Sequence, residues 1–264
     1  MLENVRVALL DIDGTLCRGA SAIAGAAEFV ERIRDRKIRP VFFTNNATRT
    51  PEQVVSYLAS CGIGAHIDEV CTSAQFAAHI IAKRVGERAK VAYIGQSGLE
   101  QALSEQGCVL VRPPSKPELG GDRGVRHAAE AAVMGLDPTA TYATLAWFCH
   151  QVVGIGWYML TNNDARFPSD DGFVPGNGAL GSFVTTATGI KPVVAGKPNP
   201  DFVRYTLERF SAEVDEAVVI GDNGATDIRA GLAAGVLTIQ VRSGVPLPTE
   251  GSEADFVVDS VADL

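Results

Sequence analysis

Short apolar runs alternate along the chain with longer segments in which apolar residues recur every three or four positions. Short runs of this kind predict buried strands, and the longer spacing predicts amphipathic helices. Strands are predicted at Val5–Leu10, Pro40–Phe43, Lys90–Ile94, Glu130–Met134, Trp157–Leu160, Ala217–Ile220 and Leu237–Val241. Because strands and helices alternate almost throughout, the pattern indicates an α/β fold with a mostly parallel sheet.

Helix boundaries are marked by local signals. Gly25–Lys37 places Phe29, Val30 and Ile33 on one face, which predicts an amphipathic helix. Thr50 followed by Pro51 is typical of an N-cap with proline at the first helical position. Pro200 is expected to open another helix in the same way.

The middle of the chain, about residues 79–178, carries strands and helices of its own and is expected to form a second unit. Its Pro- and Gly-rich stretch Arg112–Gly124 is predicted to be a loop. The flanking segments, residues 1–78 and 179–264, are expected to form the other unit.

Composition excludes several classes of protein. The 264 residues are 46% hydrophobic and 20% charged with a net charge of -8, which is typical of a globular protein and disfavours binding to nucleic acid or anionic membranes. The five cysteines include no C-x-x-C pair, so neither a disulfide framework nor a zinc site is expected. With no signal-peptide pattern and no membrane-length apolar run, the sequence predicts a cytoplasmic protein.

Two carboxylates follow the first predicted strand, at Asp11 and Asp13. This strand end is where open α/β sheets bind ligands. Carboxylates this close repel each other unless a positive group lies beside them, and a divalent cation is the usual solution. We therefore expect a metal-dependent site in which an aspartate is available as nucleophile.

Three further strand ends carry polar groups. Thr44-Asn45-Asn46 follows the second strand, Lys197 follows Val193-Val194-Ala195-Gly196, and Asp222 and Asp227 follow Ala217–Ile220. In one parallel sheet these groups would meet at its carboxyl edge.

This set matches what phosphoryl transfer requires. Asp11 is predicted to be the nucleophile, and Asp13 the group that protonates the leaving oxygen and then activates water. Mg²⁺ is expected to be bound by Asp11, the backbone carbonyl of Asp13, and Asp222. Lys197 would offset negative charge and Thr44 would bind phosphate oxygens.

In this order, Asp11-Ile12-Asp13-Gly14-Thr15-Leu16, Thr44-Asn45-Asn46, Gly196-Lys197-Pro198 and Gly221-Asp222 through Asp227 resemble the four motifs of the haloacid dehalogenase superfamily of phosphatases. The segments Thr161-Asn162-Asn163-Asp164 and Gly172–Gly178 are similar to the subgroup, class IIA, that includes NagD, 4-nitrophenylphosphatases, and phosphoglycolate and glycerol-3-phosphate phosphatases. The resemblance covers essentially the whole chain.

The resemblance implies a Rossmann-like, doubly wound parallel-sheet core, residues 1–78 and 179–264. It implies an inserted α/β cap of the C2 type, residues 79–178, which selects the substrate. It further implies Mg²⁺ dependence, a small phosphorylated metabolite as substrate, and a possible homodimer formed through the cap.

Several residues keep two interpretations. Thr44 and Asn46 are predicted to bind phosphate, although a helix N-cap and a turn explain them too. Asn45 is expected to have a mixed role. For Asn162 and Asp164, substrate binding and a turn after a strand are equally favoured. Asp227 is expected to hydrogen-bond Lys197 or the metal region rather than to ligate the metal.

Other features favour structural interpretations. Residues Gly176–Gly181 match G-x-G-x-x-G, but no buried strand precedes them, so a connector from cap to core is favoured over dinucleotide binding. A calcium loop is excluded because its sixth position would be Leu16 instead of glycine. Cys17 is favoured as a packing residue over a redox-sensitive one.

The rival functions share part of this chemistry. A phosphotransferase or mutase would use the same aspartyl-phosphate and differ only in the acceptor. A dehalogenase would not need Asp13 or Asp222. A non-catalytic sensor of phosphorylated metabolites would be expected to have lost at least one of these positions, and all are present.

Overall fold

The fold was analysed in a computed structural model, which describes residues 2–113, 129–169, 172–244 and 252–264. The strands are β1 (Val7–Leu10), β2 (Cys17–Arg18), β3 (Ser21–Ala22), β4 (Arg39–Thr44), β5 (Val70–Thr72), β6 (Lys90–Ile94), β7 (Val109–Val111), β8 (Ala131–Met134), β9 (Met159–Leu160), β10 (Arg166–Ser169), β11 (Gly172–Pro175), β12 (Val193–Val194), β13 (Ala217–Gly221), β14 (Leu237–Val241) and β15 (Phe256–Val258). The helices are α1 (Ala26–Asp35), α2 (Pro51–Ser60), α3 (Ser73–Val85), α4 (Ser97–Glu105), α5 (Tyr142–Ile155), α6 (Asn177–Thr188), α7 (Pro200–Phe210) and α8 (Arg229–Ala234).

The chain divides into two compact units. The first contains Met1–Thr44, Pro51–Thr72 and Lys197–Leu264, and the second contains Asn45–Thr50 and Ser73–Gly196. The second unit is thus inserted into the first. The observed division assigns α3 and all of α6 to the inserted unit, whereas the predicted boundaries, 79–178, cut through both helices.

The first unit is built on a parallel six-stranded sheet with the order β5-β4-β1-β13-β14-β15. Strand β1 lies in the middle of this sheet. Strands β4 and β5 follow on one side of it, and β13, β14 and β15 follow on the other. This is the strand order of Rossmann-like, doubly wound sheets. Successive strands are added on one side of β1 and then on the other, so the order reverses between β1 and β13. Ligands bind such sheets at that reversal, beyond the carboxyl ends of the strands.

Packing explains why these segments form strands and helices. All four residues of β1 and all five of β13 are buried, as expected for central strands of a parallel sheet covered on both faces. Helix α1 buries Phe29, Val30 and Ile33, which confirms the predicted apolar face. Helix α7 begins at Pro200, and the side chain of Asn199 caps it by accepting a hydrogen bond from the Asp201 amide at 3.0 Å.

The second unit has its own parallel sheet, with the order β12-β9-β8-β6-β7, and an antiparallel hairpin of β10 and β11. Its apolar core includes Phe148 of α5, Tyr158, Leu160 and Val184 of α6. The α/β class predicted from the sequence is therefore confirmed in both units.

Some local predictions were wrong. Gly176–Gly181 is not a connector, because Asn177 starts the twelve-residue helix α6. Strands β5 and β7 were not predicted, nor were the antiparallel pairs β2–β3 and β10–β11. Of the predicted loop Arg112–Gly124, residues 114–124 lie outside the described residues. Within the described parts of the chain, no helix combines the length and apolar character needed to cross a membrane.

Candidate active site

Asp11 and Asp222 lie side by side at the reversal of strand order in the first unit. Asp11 immediately follows β1, and its amide donates a 2.9 Å hydrogen bond to the carbonyl of Ile220 in β13. Asp222 immediately follows β13. Because Leu10 and Ile220 are paired in register, the two strands deliver both carboxylates to the same edge.

Lys197 links this edge to Asp227. Its Nζ lies 2.7 Å from Asp11 Oδ1 and 2.7 Å from Asp227 Oδ1, and it donates a 3.0 Å hydrogen bond to the carbonyl of Phe43 at the end of β4. The lysine is only 2% exposed. A buried ammonium with these three acceptors is held in one position.

Asp227 is oriented by a single π-helical turn, Gly224–Ile228. The amide of Asn223 donates a 3.1 Å hydrogen bond to Asp227 Oδ2, which leaves Oδ1 directed at Lys197. A side chain at Gly221 would collide with the Asp227 carboxylate, since an added Cβ would lie 2.4 Å from its Cγ. The absence of a side chain at Gly221 therefore gives Asp227 room to approach the sheet.

Asp222 occupies a slot between two glycines. A Cβ added to Gly14 would lie 2.6 Å from Asp222 Oδ2, and one added to Gly244 would lie 2.1 Å from the same oxygen. Thr15 Oγ1 lies 3.2 Å from Asp11 Oδ2 and 3.5 Å from Asp222 Oδ1, and so bridges the two carboxylates. The position of Asp222 is thus fixed from three sides.

The charges in this cluster do not balance. Among the described residues, Asp11, Asp222 and Asp227 are buried with one ammonium, Lys197. Burial raises the pKa of Asp11 well above its usual value, with further contributions from Asp227 and Asp222, and Lys197 only partly opposes them. For Lys197, burial alone would lower the pKa, but the carboxylates of Asp11 and Asp227 outweigh it and raise the pKa.

A divalent cation fits this imbalance. Carboxylate oxygens of Asp11, Asp222 and Asp227 lie within 4.8 Å of one another. Three buried carboxylates and one ammonium leave two negative charges, which a single divalent cation would neutralise. An all-oxygen donor set is the kind that Mg²⁺ prefers.

Asp13 is exposed and belongs to a tight turn. The Gly14 amide donates to the Cys17 carbonyl at 2.7 Å, and Gly14 adopts a positive φ of 94° that favours glycine. Tyr57 lies beside it, with its hydroxyl 3.5 Å from Asp13 Oδ1 and donating to the Gly19 carbonyl at 2.7 Å. The Asp13 side chain is therefore exposed to solvent, with the Tyr57 hydroxyl as a neighbour.

The predicted phosphate- and substrate-binding residues divide between the two units. Thr44 is the last residue of β4 and is buried in the first unit. Asn45, Asn162 and Asp164 lie in the second unit and contact one another. Asn45 Nδ2 lies 3.3 Å from Asp164 Oδ2, and Asn162 Nδ2 donates to the Asn45 carbonyl at 2.8 Å. Asn46 Oδ1 accepts from the Thr48 amide at 2.9 Å and closes a local turn.

Sequence reasoning missed the residues that position the carboxylates: Thr15, Gly244 and Gln240, whose Nε2 donates to the Asp222 carbonyl at 2.8 Å. It also missed Asn177, which donates to the Asn162 carbonyl at 2.9 Å. Thr15 stands beside the carboxylates in sequence and could have been found. Gln240 approaches Asp222 through the parallel pairing of β13 and β14, and Gly244 follows β14 by three residues.

Comparison with known proteins agrees with this geometry. A family model described as haloacid dehalogenase-like hydrolase matches residues 8–109, and a second, described as HAD-hydrolase-like, matches residues 194–264. The chain is 36% identical to the 5'-nucleotidase YutF of Bacillus subtilis, over 90% of this chain and 87% of that protein. It is 36% identical to the acid sugar phosphatase of Staphylococcus saprophyticus, over 94% of this chain and 91% of that one.

Solved structures of phosphatases are also similar to this chain. A double mutant of a thermostable NPPase from Geobacillus stearothermophilus matches with a TM-score of 0.88 and 31% identity, covering 99% of this chain and 98% of that one. A glycerol phosphate phosphatase from Mycobacterium tuberculosis, in complex with magnesium, matches with a TM-score of 0.88 and 28% identity, covering 98% of this chain and 76% of that one.

The fold and the buried aspartate–lysine cluster thus occur in a chain whose residues 8–109 and 194–264 both match haloacid dehalogenase-like family models. The chain belongs to the haloacid dehalogenase-like hydrolases. Within that family its relatives are phosphatases, as predicted for the NagD-like subgroup, and the chain is a phosphoric monoester hydrolase.

Proposed function

We propose that the chain is a Mg²⁺-dependent phosphatase that hydrolyses small organic phosphate monoesters through a covalent phosphate ester of Asp11. The observation that carries the proposal is the placement of Lys197 Nζ, 2.7 Å from both Asp11 and Asp227, in a buried cluster that also holds Asp222. Such a cluster has the nucleophile and the positive charge that phosphoryl transfer needs.

In the first step, a carboxylate oxygen of Asp11 attacks phosphorus while the bond from phosphorus to the substrate oxygen breaks. Asp13 gives its proton to the departing oxygen, so that the product leaves as an alcohol. In the second step, Asp13 takes a proton from water, and the water oxygen attacks phosphorus. The bond to Asp11 breaks, and inorganic phosphate is released.

Other residues stabilise the charge that moves through the site. Lys197 neutralises negative charge beside the reacting carboxylate, and Asp227 holds Lys197 in position. The Thr44 hydroxyl binds a phosphate oxygen. Mg²⁺, held by Asp11, Asp222 and the backbone carbonyl of Asp13, would neutralise the phosphoryl oxygens and keep the donors in place.

The substrate is proposed to be a small metabolite. The relatives carry the names of a nucleotidase, a sugar phosphatase and a glycerol phosphate phosphatase, which share a phosphate monoester on a small polar alcohol. We favour a short polyol or carboxylic acid phosphate. The inserted unit is proposed to act as the cap that selects it, with Asn45, Asn46, Asn162 and Asp164 as candidate substrate-binding residues and with homodimerisation through the cap as a further proposal.

The test is phosphate release from a panel of monoesters, with Mg²⁺ or with EDTA. The panel contains glycerol 3-phosphate, 2-phosphoglycolate, a hexose phosphate, UMP, pyridoxal phosphate and p-nitrophenyl phosphate. The proposal predicts release that requires the metal and is absent in Asp11→Asn. The ranking of kcat/KM identifies the substrate class.

The same assay separates hydrolysis from transfer to another acceptor. A hydrolase releases alcohol and phosphate in equal amounts. A phosphotransferase, which would share the nucleophile, releases alcohol in excess of phosphate when a second alcohol is supplied, and a mutase would convert the monoester to its isomer and release neither alcohol nor phosphate. An excess of alcohol over phosphate would show that the chain transfers phosphate to another alcohol and would contradict the proposed hydrolysis.

A further inference from the structure

Three points at which the chain passes between its two units come together at Asn45. Asn45, Ser73 and Gly196 are the second-unit residues at these points. The Ser73 hydroxyl donates a 2.8 Å hydrogen bond to the Asn45 carbonyl. Gly196 packs directly against the asparagine side chain, because a Cβ added to it would lie 2.4 Å from Asn45 Oδ1. Thr44 precedes Asn45 and Lys197 follows Gly196, so two residues of the candidate active site are one peptide bond away from this contact.

The turn after β9 holds Asn45 as well. Asn162 Nδ2 donates a 2.8 Å hydrogen bond to the Asn45 carbonyl, which therefore accepts from two donors. Asn45 Nδ2 lies 3.3 Å from Asp164 Oδ2 and 3.4 Å from Asp164 Oδ1. The Asp164 amide in turn donates to Asn162 Oδ1 at 3.2 Å. The three side chains thus form a closed ring of hydrogen bonds.

The start of α6 fixes this turn in place. Asn177 is 1% exposed, and its Nδ2 donates to the Asn162 carbonyl at 2.9 Å. The Gly178 amide donates to the Asp164 carbonyl at 2.9 Å. A Cβ added to Gly176 would lie 2.2 Å from that same carbonyl oxygen. The glycines on either side of Asn177, which match part of a dinucleotide-binding signature, therefore let the turn approach the helix closely.

We propose that Asn162 and Asp164 are positioning residues that act through Asn45. They fix Asn45, and Asn45 fixes the residue before it, Thr44, and the glycine that leads into Lys197. The consequence for turnover rests on the proposed function, which places Thr44 and Lys197 beside the reacting phosphate. A defect at Asn162 or Asp164 would then affect every phosphate monoester alike, because the phosphate is the part that all of them share.

The state of the two side chains fits support of Asn45 better than selection of a substrate. Asn162 is only 6% exposed, and both its Nδ2 and its Oδ1 are engaged in hydrogen bonds. Both carboxylate oxygens of Asp164 lie within 3.4 Å of Asn45 Nδ2. A buried amide whose donor and acceptor are both occupied offers little to the organic part of a substrate.

The first test compares Asp164→Ala with the unaltered full-length protein. The assays are kcat/KM for p-nitrophenyl phosphate and for the best monoester of the panel, and calorimetric binding of inorganic phosphate in the presence of Mg²⁺. We expect kcat/KM to fall at least about tenfold, and by the same factor for both substrates, since a misplacement of ~1 Å can cost about a hundredfold. Inorganic phosphate should also bind more weakly. Asn163→Ala, at an exposed residue of the same turn, is the matched control and should behave as the unaltered protein does.

A second test exchanges the two partners and does not depend on whether Asp164→Ala folds. Asn45→Asp puts a carboxylate oxygen where Nδ2 now lies 3.3 Å from Asp164 Oδ2, and the repulsion should lower kcat/KM for both substrates. The double variant Asn45→Asp, Asp164→Asn restores one donor and one acceptor in exchanged positions. It should regain most of the lost kcat/KM, and circular dichroism verifies folding of each variant.

Two results would overturn the proposal. One is a loss confined to the panel monoester in Asp164→Ala, with p-nitrophenyl phosphate turnover and phosphate binding unaltered, which would make Asp164 a ligand of the organic part. The other is a double variant no faster than Asn45→Asp. An unaltered protein that releases no phosphate from any monoester would instead contradict the proposed function, and phosphate binding would still test the positioning of Asn45.

Discussion

Replacement of Lys197 by methionine removes a buried charge while keeping an unbranched side chain. In the folded protein, Nζ contacts Asp11 and Asp227 at 2.7 Å each and the Phe43 carbonyl at 3.0 Å. The variant Lys197→Met would leave three buried carboxylates with no ammonium among the described residues. We expect two separate effects, one on stability and one on turnover.

The effect on stability follows from the buried ion pairs. Removing one partner of such a pair destabilises a protein by about 3–5 kcal/mol. Without Lys197, the burial and the neighbouring carboxylates that raise the pKa of Asp11 lose the positive charge that opposes them. A carboxyl whose folded pKa lies above its unfolded pKa reduces stability as the pH rises through the folded value. The deficit relative to the unaltered protein should therefore shrink as the pH falls, and added Mg²⁺ should reduce it at neutral pH.

Turnover should fall because the reacting phosphate loses a positive neighbour. The loss of one positioned transition-state contact typically costs about 10²–10³ in kcat. The assays are p-nitrophenyl phosphate hydrolysis with saturating Mg²⁺ and chemical unfolding at several pH values, with circular dichroism to verify folding. Lys191→Met, at an exposed lysine, is the matched control and should change neither the stability nor kcat. A folded Lys197→Met variant with unaltered kcat would refute the reasoning.

Three further substitutions test separate parts of the site. Asp11→Asn should abolish turnover while circular dichroism remains unaltered, and turnover at the original rate would remove Asp11 as nucleophile. Asp222→Ala should shift the Mg²⁺ titration of activity to much higher concentration, whereas an unchanged titration would show that Asp222 is not a ligand. Gly244→Ala places a Cβ where Asp222 Oδ2 now lies, 2.1 Å away, and should weaken the rise in Tm that Mg²⁺ produces. Gly64→Ala is its control, because an added Cβ there would meet only the end of the Glu31 side chain at 3.6 Å, and equal Tm responses in the two variants would contradict the slot for Asp222.

The groups expected to carry the chemistry could be predicted because they follow strands with strong local signals. Asp11 and Asp222 stand directly after fully apolar runs, and a parallel sheet brings such positions to one edge. The sequence predicted that Lys197 lies near Asp11 and Asp227 only because the three residues belong to motifs that occur in the order typical of the family. Its distances depend on the fold of residues that are far apart in the chain.

What the sequence did not predict depends on tertiary packing. Strands β5 and β7 have only three residues each, too few to display a period of two. The glycine slot around Asp222 is formed by Gly14 and Gly244, which lie far apart in sequence. The membership of α3 and α6 in the second unit is likewise set by contacts rather than by any local break in composition.

The central claim is that Asp11 carries the phosphate during turnover. Protein quenched in acid during p-nitrophenyl phosphate hydrolysis can be reduced with borohydride, which converts an aspartyl phosphate to homoserine and leaves an unmodified aspartate intact. Peptide mapping should find homoserine at position 11 only when Mg²⁺ and substrate were both present. Homoserine at another aspartate, or full turnover with Asp11 never converted, would contradict the mechanism.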